Sequence, residues 1–74
     1  MDAISVLKEI LENRIDLSKV TMKSSLHELG LDSLDLVEIT SEIETRFAIE
    51  FTSDEIVGLE TVGEIVNLIE RKTK

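Results

Sequence analysis

Gly30 Leu31 Asp32 Ser33 Leu34 Asp35 Leu36 Val37 Glu38 Ile39 Thr40 Ser41 Glu42 Ile43 Glu44 Thr45 Arg46 Phe47 is the stretch whose pattern decides the fold. Leu36, Ile39, Thr40, Ile43 and Phe47 recur at the three- and four-residue spacing of one helix face. Asp35, Glu38, Glu42 and Arg46 fall on wetter positions, and Leu34, Val37 and Ser41 form a separate, less charged flank expected to stay partly exposed. Asp32 stands just ahead of the periodic run, where a carboxylate caps the backbone donors that a helix start leaves unpaired. Asp35, three residues on, lies near the positive end of the helix dipole. Asp is not the Glu or Gln of a full capping box, so only the electrostatic part of that motif is expected of it.

Upstream of this helix, residues 3–14 read as a first helix, with Asp2 as N-cap and Ile4, Leu7, Ile10 and Leu11 on one face. The periodicity lapses after Ile15, and a long loop follows in which Leu17, Val20, Leu26 and Leu29 are expected to hold the chain to the core. Downstream, Ala48 to Thr52 alternate briefly like a strand but have no partner strand, so they read as an extended connector whose Ile49 and Phe51 plug the core. Thr52 or Ser53 caps a short helix running through Gly58, and a glycine inside that helix would weaken it by about 1 kcal/mol relative to Ala. Thr61 Val62 Gly63 Glu64 matches the S/T-x-x-E box that opens a last helix, with Val62, Ile65, Val66 and Ile69 as its buried stripe. Leu36, Ile39, Ile43, Ile56, Leu59, Val62 and Ile65 read as ordinary core residues. The expectation is an all-α, small four-helix bundle: three main helices, one short helix and a long first loop, in a single domain over residues 1–74. The chain has no proline and three glycines, hence no Gly-rich linker to divide it.

Composition narrows the function. The 74 residues are 42% hydrophobic with Phe47 and Phe51 as the only aromatics, so the core is aliphatic. A net charge of -8 argues against direct binding of nucleic acid or of an anionic membrane surface, and favours a basic protein partner. The absence of cysteine excludes a disulfide scaffold, thiolate catalysis and sulfur-ligated metal sites. Met1 Asp2 Ala3 Ile4 Ser5 lack the basic region and apolar run of a secretory signal, and no apolar stretch approaches a membrane span. A soluble, cytoplasmic, monomeric protein without stable membrane insertion is expected.

The chemistry centres on Ser33. It falls in the first helical turn, beside backbone N–H groups without intrahelical partners, where an attached phosphate is electrostatically tolerated. Plain capping chemistry by Asp32 and Ser33 is the competing reading. A catalytic serine assisted by His27 and oriented by Asp32 or Asp35 is rejected, because the Gly-x-Ser-x-Gly elbow is missing and no oxyanion donors can be identified. Asp32, Asp35 and Glu38 do not have the spacing of a calcium loop, and no metal is assigned.

Leu29 Gly30 Leu31 Asp32 Ser33 Leu34 Asp35 Leu36 Val37 Glu38 closely resembles the attachment region of acyl carrier proteins. The resemblance extends over nearly the whole chain, through the long loop, the Ile49 to Asp54 connector and Thr61 Val62 Gly63. It implies that Ser33 carries 4'-phosphopantetheine, transferred from coenzyme A by a phosphopantetheinyl transferase, and that the arm's thiol bears acyl groups as thioesters. It also implies a carrier rather than an enzyme, serving acyl-loading and acyl-processing enzymes with basic docking surfaces. Fatty acid biosynthesis is the expected pathway; a polyketide, special-lipid or aminoacyl carrier is the alternative, and an unmodified acidic adaptor is the rival of another class. His27 Glu28 before Leu29 Gly30, and Phe51 Thr52 Ser53 before the short helix, depart from the commonest pattern of fatty-acid-synthesis members.

Between Glu28 and Glu70 stand twelve acids against one base, Arg46. Such a field steers basic partners. Asp32, Asp35, Glu38, Glu42 and Glu44, with Leu34, Val37 and Ser41 as the apolar contact, are the expected docking residues.

Overall fold

The structure, a computed structural model, describes residues 2–73. It comprises α1 (Ala3–Leu11), a 3-10 turn (Leu17–Lys19), α2 (Ser33–Phe47), α3 (Ser53–Val57) and α4 (Val62–Thr73). The expected all-α bundle, three main helices with one short helix and a long first loop, is what forms. α1 packs against both α2 and α4, and α3 lies against α2. One core joins them, with Leu7, Ile10, Leu11, Ile39, Ile43, Ile65 and Ile69 at most 2% exposed.

Two local expectations shift in α1. The helix ends at Leu11, with Glu12 as its C-cap, and the chain turns through Arg14 instead of continuing the helix to that residue. Its buried face is Ala3, Val6, Leu7, Ile10 and Leu11, which keeps Leu7, Ile10 and Leu11 of the predicted stripe but replaces Ile4, 39% exposed, by Ala3 and Val6. Ile4 is left at the rim of an apolar pocket of about 310 Å³ between α1, the first loop and the start of α4.

The first loop is tied down by backbone as well as by side chains. Leu26 is buried, and Leu17, Val20 and Leu29 pack against the core as the sequence led us to expect. Beyond that, the loop runs antiparallel to the start of α4. Leu26 N–H donates to Glu60 O at 2.9 Å, Val62 N–H to Ser24 O at 3.2 Å, and Gly63 N–H to Met22 O at 2.8 Å. Gly63 sits so close that a Cβ there would lie 2.8 Å from Met22 O. Thr61 and Glu64 form the expected reciprocal box over the same junction: Glu64 N–H donates to Thr61 Oγ1 and Thr61 N–H to Glu64 Oε1.

α2 buries Ile39, Thr40 and Ile43, with Leu36 and Phe47 packed at the core's edge. Thr40 is polar but costs little, because its hydroxyl donates to Leu36 O at 2.8 Å within its own helix. The helix closes at Ala48, which takes the left-handed conformation (φ 55°, ψ 47°) while Ile49 N–H reaches back to Glu44 O at 3.2 Å. Alanine in that conformation carries a penalty of about 1–2 kcal/mol that glycine escapes. After glycine's greater unfolded-state entropy is deducted, Ala48→Gly is expected to stabilise the chain by about 0.5–1 kcal/mol, read as a raised urea midpoint.

Ile49 and Phe51 of the connector pack against the core as expected. α3 begins with a full capping box between Thr52 and Glu55. Gly58 is its C-cap, not an interior residue, so the predicted penalty of about 1 kcal/mol does not arise. Ile56, expected in the core, is only half-buried, whereas Leu31 and Leu68 are buried without having been foreseen. Lys72 fastens α3 to the end of α4, with its Nζ 3.0 Å from Glu55 Oε1 and 5.8 Å from the centroid of the Phe51 ring.

Candidate functional site

The turn before α2 places Ser33. Leu26 and Leu31 are both buried, and the backbone between them folds through Leu29 N–H to Ser25 O, Gly30 N–H to His27 O and Leu31 N–H to Leu26 O, at 3.0–3.1 Å. Gly30 has φ +84°, a conformation that disfavours any side chain. With Leu31 anchored inward, Asp32 and Ser33 emerge at the surface as the N-cap and first residue of α2.

The cap is more complete than expected. Asp35 N–H donates to Asp32 Oδ1 at 3.0 Å, and Asp32 N–H donates to Asp35 Oδ2 at 3.1 Å. The shorter side chain of Asp35 therefore closes the box that a Glu would normally close. The N–H of Asp35 holds the Asp32 carboxyl below its ordinary value of 3.8. A depressed carboxyl pKa means that the cap's charged form stabilises the fold above that ordinary value, and the contribution disappears as the pH falls through the lower folded-state value. Asn caps a helix about as well and does not titrate. The parent and Asp32→Asn are accordingly expected to be about equally stable from pH 7 to about 5, and the parent to fall behind the variant below about 4, as followed by urea unfolding at each pH.

Ser33 is exposed at the edge of a shallow groove lined by His27, Leu31, Leu36, Val57, Leu59 and Glu60, among others. The adjoining surface of α2 carries the predicted flank in the open: Leu34 is 68% and Val37 48% exposed, and Ser41 is exposed beside them. Val57 of α3, 84% exposed, adds an apolar side chain that sequence reading did not single out. A phosphodiester on Ser33 fits this setting. The hydroxyl faces solvent at a helix start, and the neighbouring Asp32 carboxylate is turned onto the Asp35 N–H.

Apart from Asp32, which caps α2, the predicted docking acids divide into two groups. Asp35, Glu38 and Glu42 lie along one shoulder of α2, where Arg14 reaches all three: its guanidinium is 3.6 Å from Asp35, 2.9 Å from Glu38 and 3.7 Å from Glu42. Glu44 stands apart, half-buried, with its carboxylate accepting the Phe51 N–H at 2.8 Å and so holding the connector. Arg46, the lone base in the acidic segment, pairs with Glu9 of α1 at 3.3 Å. Arg14 is the residue that sequence reasoning missed, because nothing local relates it to carboxylates more than twenty positions away.

Comparison with known proteins places this arrangement. The family model described as the phosphopantetheine attachment site matches residues 4–69. An acyl carrier protein homolog of Mycoplasmopsis pulmonis is 40% identical over 62 residues, which cover 84% of this chain and 85% of that protein. The crystal structure of an acyl carrier protein from Thermotoga maritima superposes with a TM-score of 0.85 at 26% identity, covering 97% of this chain and 91% of that one. A hexanoyl carrier protein of the actinorhodin polyketide synthase of Streptomyces coelicolor superposes with a TM-score of 0.78 at 25% identity, covering 90% and 85%. The match over residues 4–69, together with the fold, thus defines a phosphopantetheine-attachment domain. Within that class the chain belongs to the acyl carrier protein family, whose members carry acyl groups on phosphopantetheine and are not themselves enzymes.

Proposed function

We propose that Ser33 is the attachment residue, receiving 4'-phosphopantetheine from coenzyme A through a phosphopantetheinyl transferase. The observation that carries this reading is the exposure of Ser33 at the first position of α2, inside the segment that matches the family model. When bound, the prosthetic arm supplies the thiol that this cysteine-free chain lacks, and acyl groups travel on it as thioesters. The chain's own residues hold and present the attachment point. Asp32 and Asp35 fix the first turn of α2, Gly30 lets the chain reverse, and Leu31 anchors the turn from below.

Partner enzymes with basic docking surfaces would meet Asp32, Asp35, Glu38 and Glu42 at the rim and Leu34, Val37 and Ser41 at the centre. Glu44 would act on this surface indirectly, through the connector it holds. The continuous core from Ala3 to Ile69 supports treating residues 1–74 as one carrier domain. Among the described residues no helix is long and apolar enough to cross a membrane. We place the carrier in the cytoplasm, alongside the acyl-processing enzymes it would serve, and in fatty acid biosynthesis. The likeness to a polyketide-synthase carrier keeps a specialised acyl pathway as the second reading, since the two kinds of carrier share this fold.

The test is intact mass after incubation with coenzyme A and a broad-specificity transferase. The parent is expected to gain one phosphopantetheine and Ser33→Ala none. A folded parent that stays unmodified while the transferase loads a control carrier would overturn the assignment of Ser33. Thioester cargo recovered from the native host would then separate the fatty-acid reading from the specialised one.

A further inference from the structure

The acidic row on α2 is already engaged by a cation from within the chain. We propose that Arg14 determines docking specificity by occupying Asp35, Glu38 and Glu42, so that a partner reading this row with its own guanidinium or ammonium groups must displace it. The proposal deepens the docking reading above and rests on it. Arg14 lies in the turn after α1, and its side chain is three-quarters covered. The three carboxylates it meets are at positions i, i+3 and i+7 of α2, on successive turns of one shoulder.

Two features make this contact a competitor and not a fixed strut. Glu38 and Glu42 remain 54% and 47% exposed, so an incoming cation can approach their outer oxygens. Exposed ion pairs of this kind are weak and screened by salt, hence displaceable. The other cross-helix pairs do different work, each joining one base to one acid: Arg46, one turn beyond Glu42, meets Glu9 of α1, and Lys72 meets Glu55. Arg14 bridges three acids on the shoulder next to the flank that carries Leu34 and Val37.

The consequence is a sorting of partners. An enzyme that docks through the apolar flank leaves Arg14 in place, whereas one that relies on several arginines or lysines gains only the difference between its contacts and those it breaks. Arg14 therefore favours the first kind and lowers the general attraction of this -8 chain for basic surfaces.

The experiment measures the affinity of a hexa-arginine peptide for the parent, Arg14→Gln and Arg14→Lys, together with the transferase kinetics of each. Arg14→Gln is expected to bind the peptide about 3–10-fold more tightly at low salt, with the gap closing near 1 M salt, where the screening length is about 3 Å. Arg14→Lys keeps the charge but loses the fork that spans several carboxylates, and is expected to fall between the two. A basic-docking transferase should show the same gain as a lower KM with little change in kcat. Equal or weaker peptide binding by a folded Arg14→Gln chain would overturn the proposal, because Arg14 would then merely arrange the acids. The peptide needs no prosthetic arm, so failure at Ser33 and failure at Arg14 are distinguishable: the first appears as no mass gain and no transferase turnover, the second as unchanged or weaker peptide binding.

Discussion

Gly63→Val is expected to destabilise this carrier by about 2–4 kcal/mol, summing overpacking and the loss of one backbone hydrogen bond. The physical reason is the close approach of two backbones. Gly63 N–H donates to Met22 O at 2.8 Å, and a Cβ would stand 2.8 Å from that same oxygen. The neighbour is a carbonyl and not the end of a flexible side chain, so relief requires the loop and α4 to separate. Separation would also loosen the bonds from Val62 N–H to Ser24 O and from Leu26 N–H to Glu60 O, which carry the loop to its turn before Ser33. A chain of this length has a total stability of about 4–11 kcal/mol, so the loss is a large share of it. Urea unfolding followed by circular dichroism reads the effect. A midpoint within error of the parent would show that the junction is not held as described.

Leu34→Asp is expected to act in the opposite way, leaving the fold intact and weakening function. Leu34 is 68% exposed, and an acid in the first turn of α2 is favourable toward the helix dipole, so stability should change by less than about 0.5 kcal/mol. The same change places a carboxylate at the centre of the apolar flank next to Ser33. A central anchor at an interface contributes about 2 kcal/mol or more, which corresponds to a loss of roughly 30-fold in kcat/KM for transferase loading of Ser33. The kinetics should be compared with Thr45→Asp, an exposed position further along α2. If Leu34→Asp is loaded as fast as the parent, Leu34 is not part of the docking surface.

Much of the architecture is written in signals that act over three or four residues. The stripe of α2, the box at Thr61 and Glu64, the cap by Asp32 and the exposed flank of Leu34 and Val37 all follow from helical spacing and from the unpaired donors at a helix start. The start of α1 was legible in the same way through Asp2. Its end was not, since no glycine marks it, and neither was the exposure of Ile4, which continues the apolar pattern to a place where the fold has an open pocket. Asp35 shows the limit of a motif rule, since a carboxylate one methylene shorter than Glu still reaches the Asp32 N–H at 3.1 Å.

By itself the sequence determined the all-α class, the order of the helices and an aliphatic core, because each depends on neighbours along the chain, whereas Ser33 stands out through the family resemblance of the segment around it. Tertiary structure alone decided the pairing of the loop with α4, the left-handed turn at Ala48, the task of Glu44 and the seat of Arg14 on α2. The loop's pairing with α4 and the seat of Arg14 depend on segments that meet only after loop closure, which the packing of the whole core governs, whereas the Ala48 turn and the Glu44 bond span at most seven residues but follow no motif that announces them.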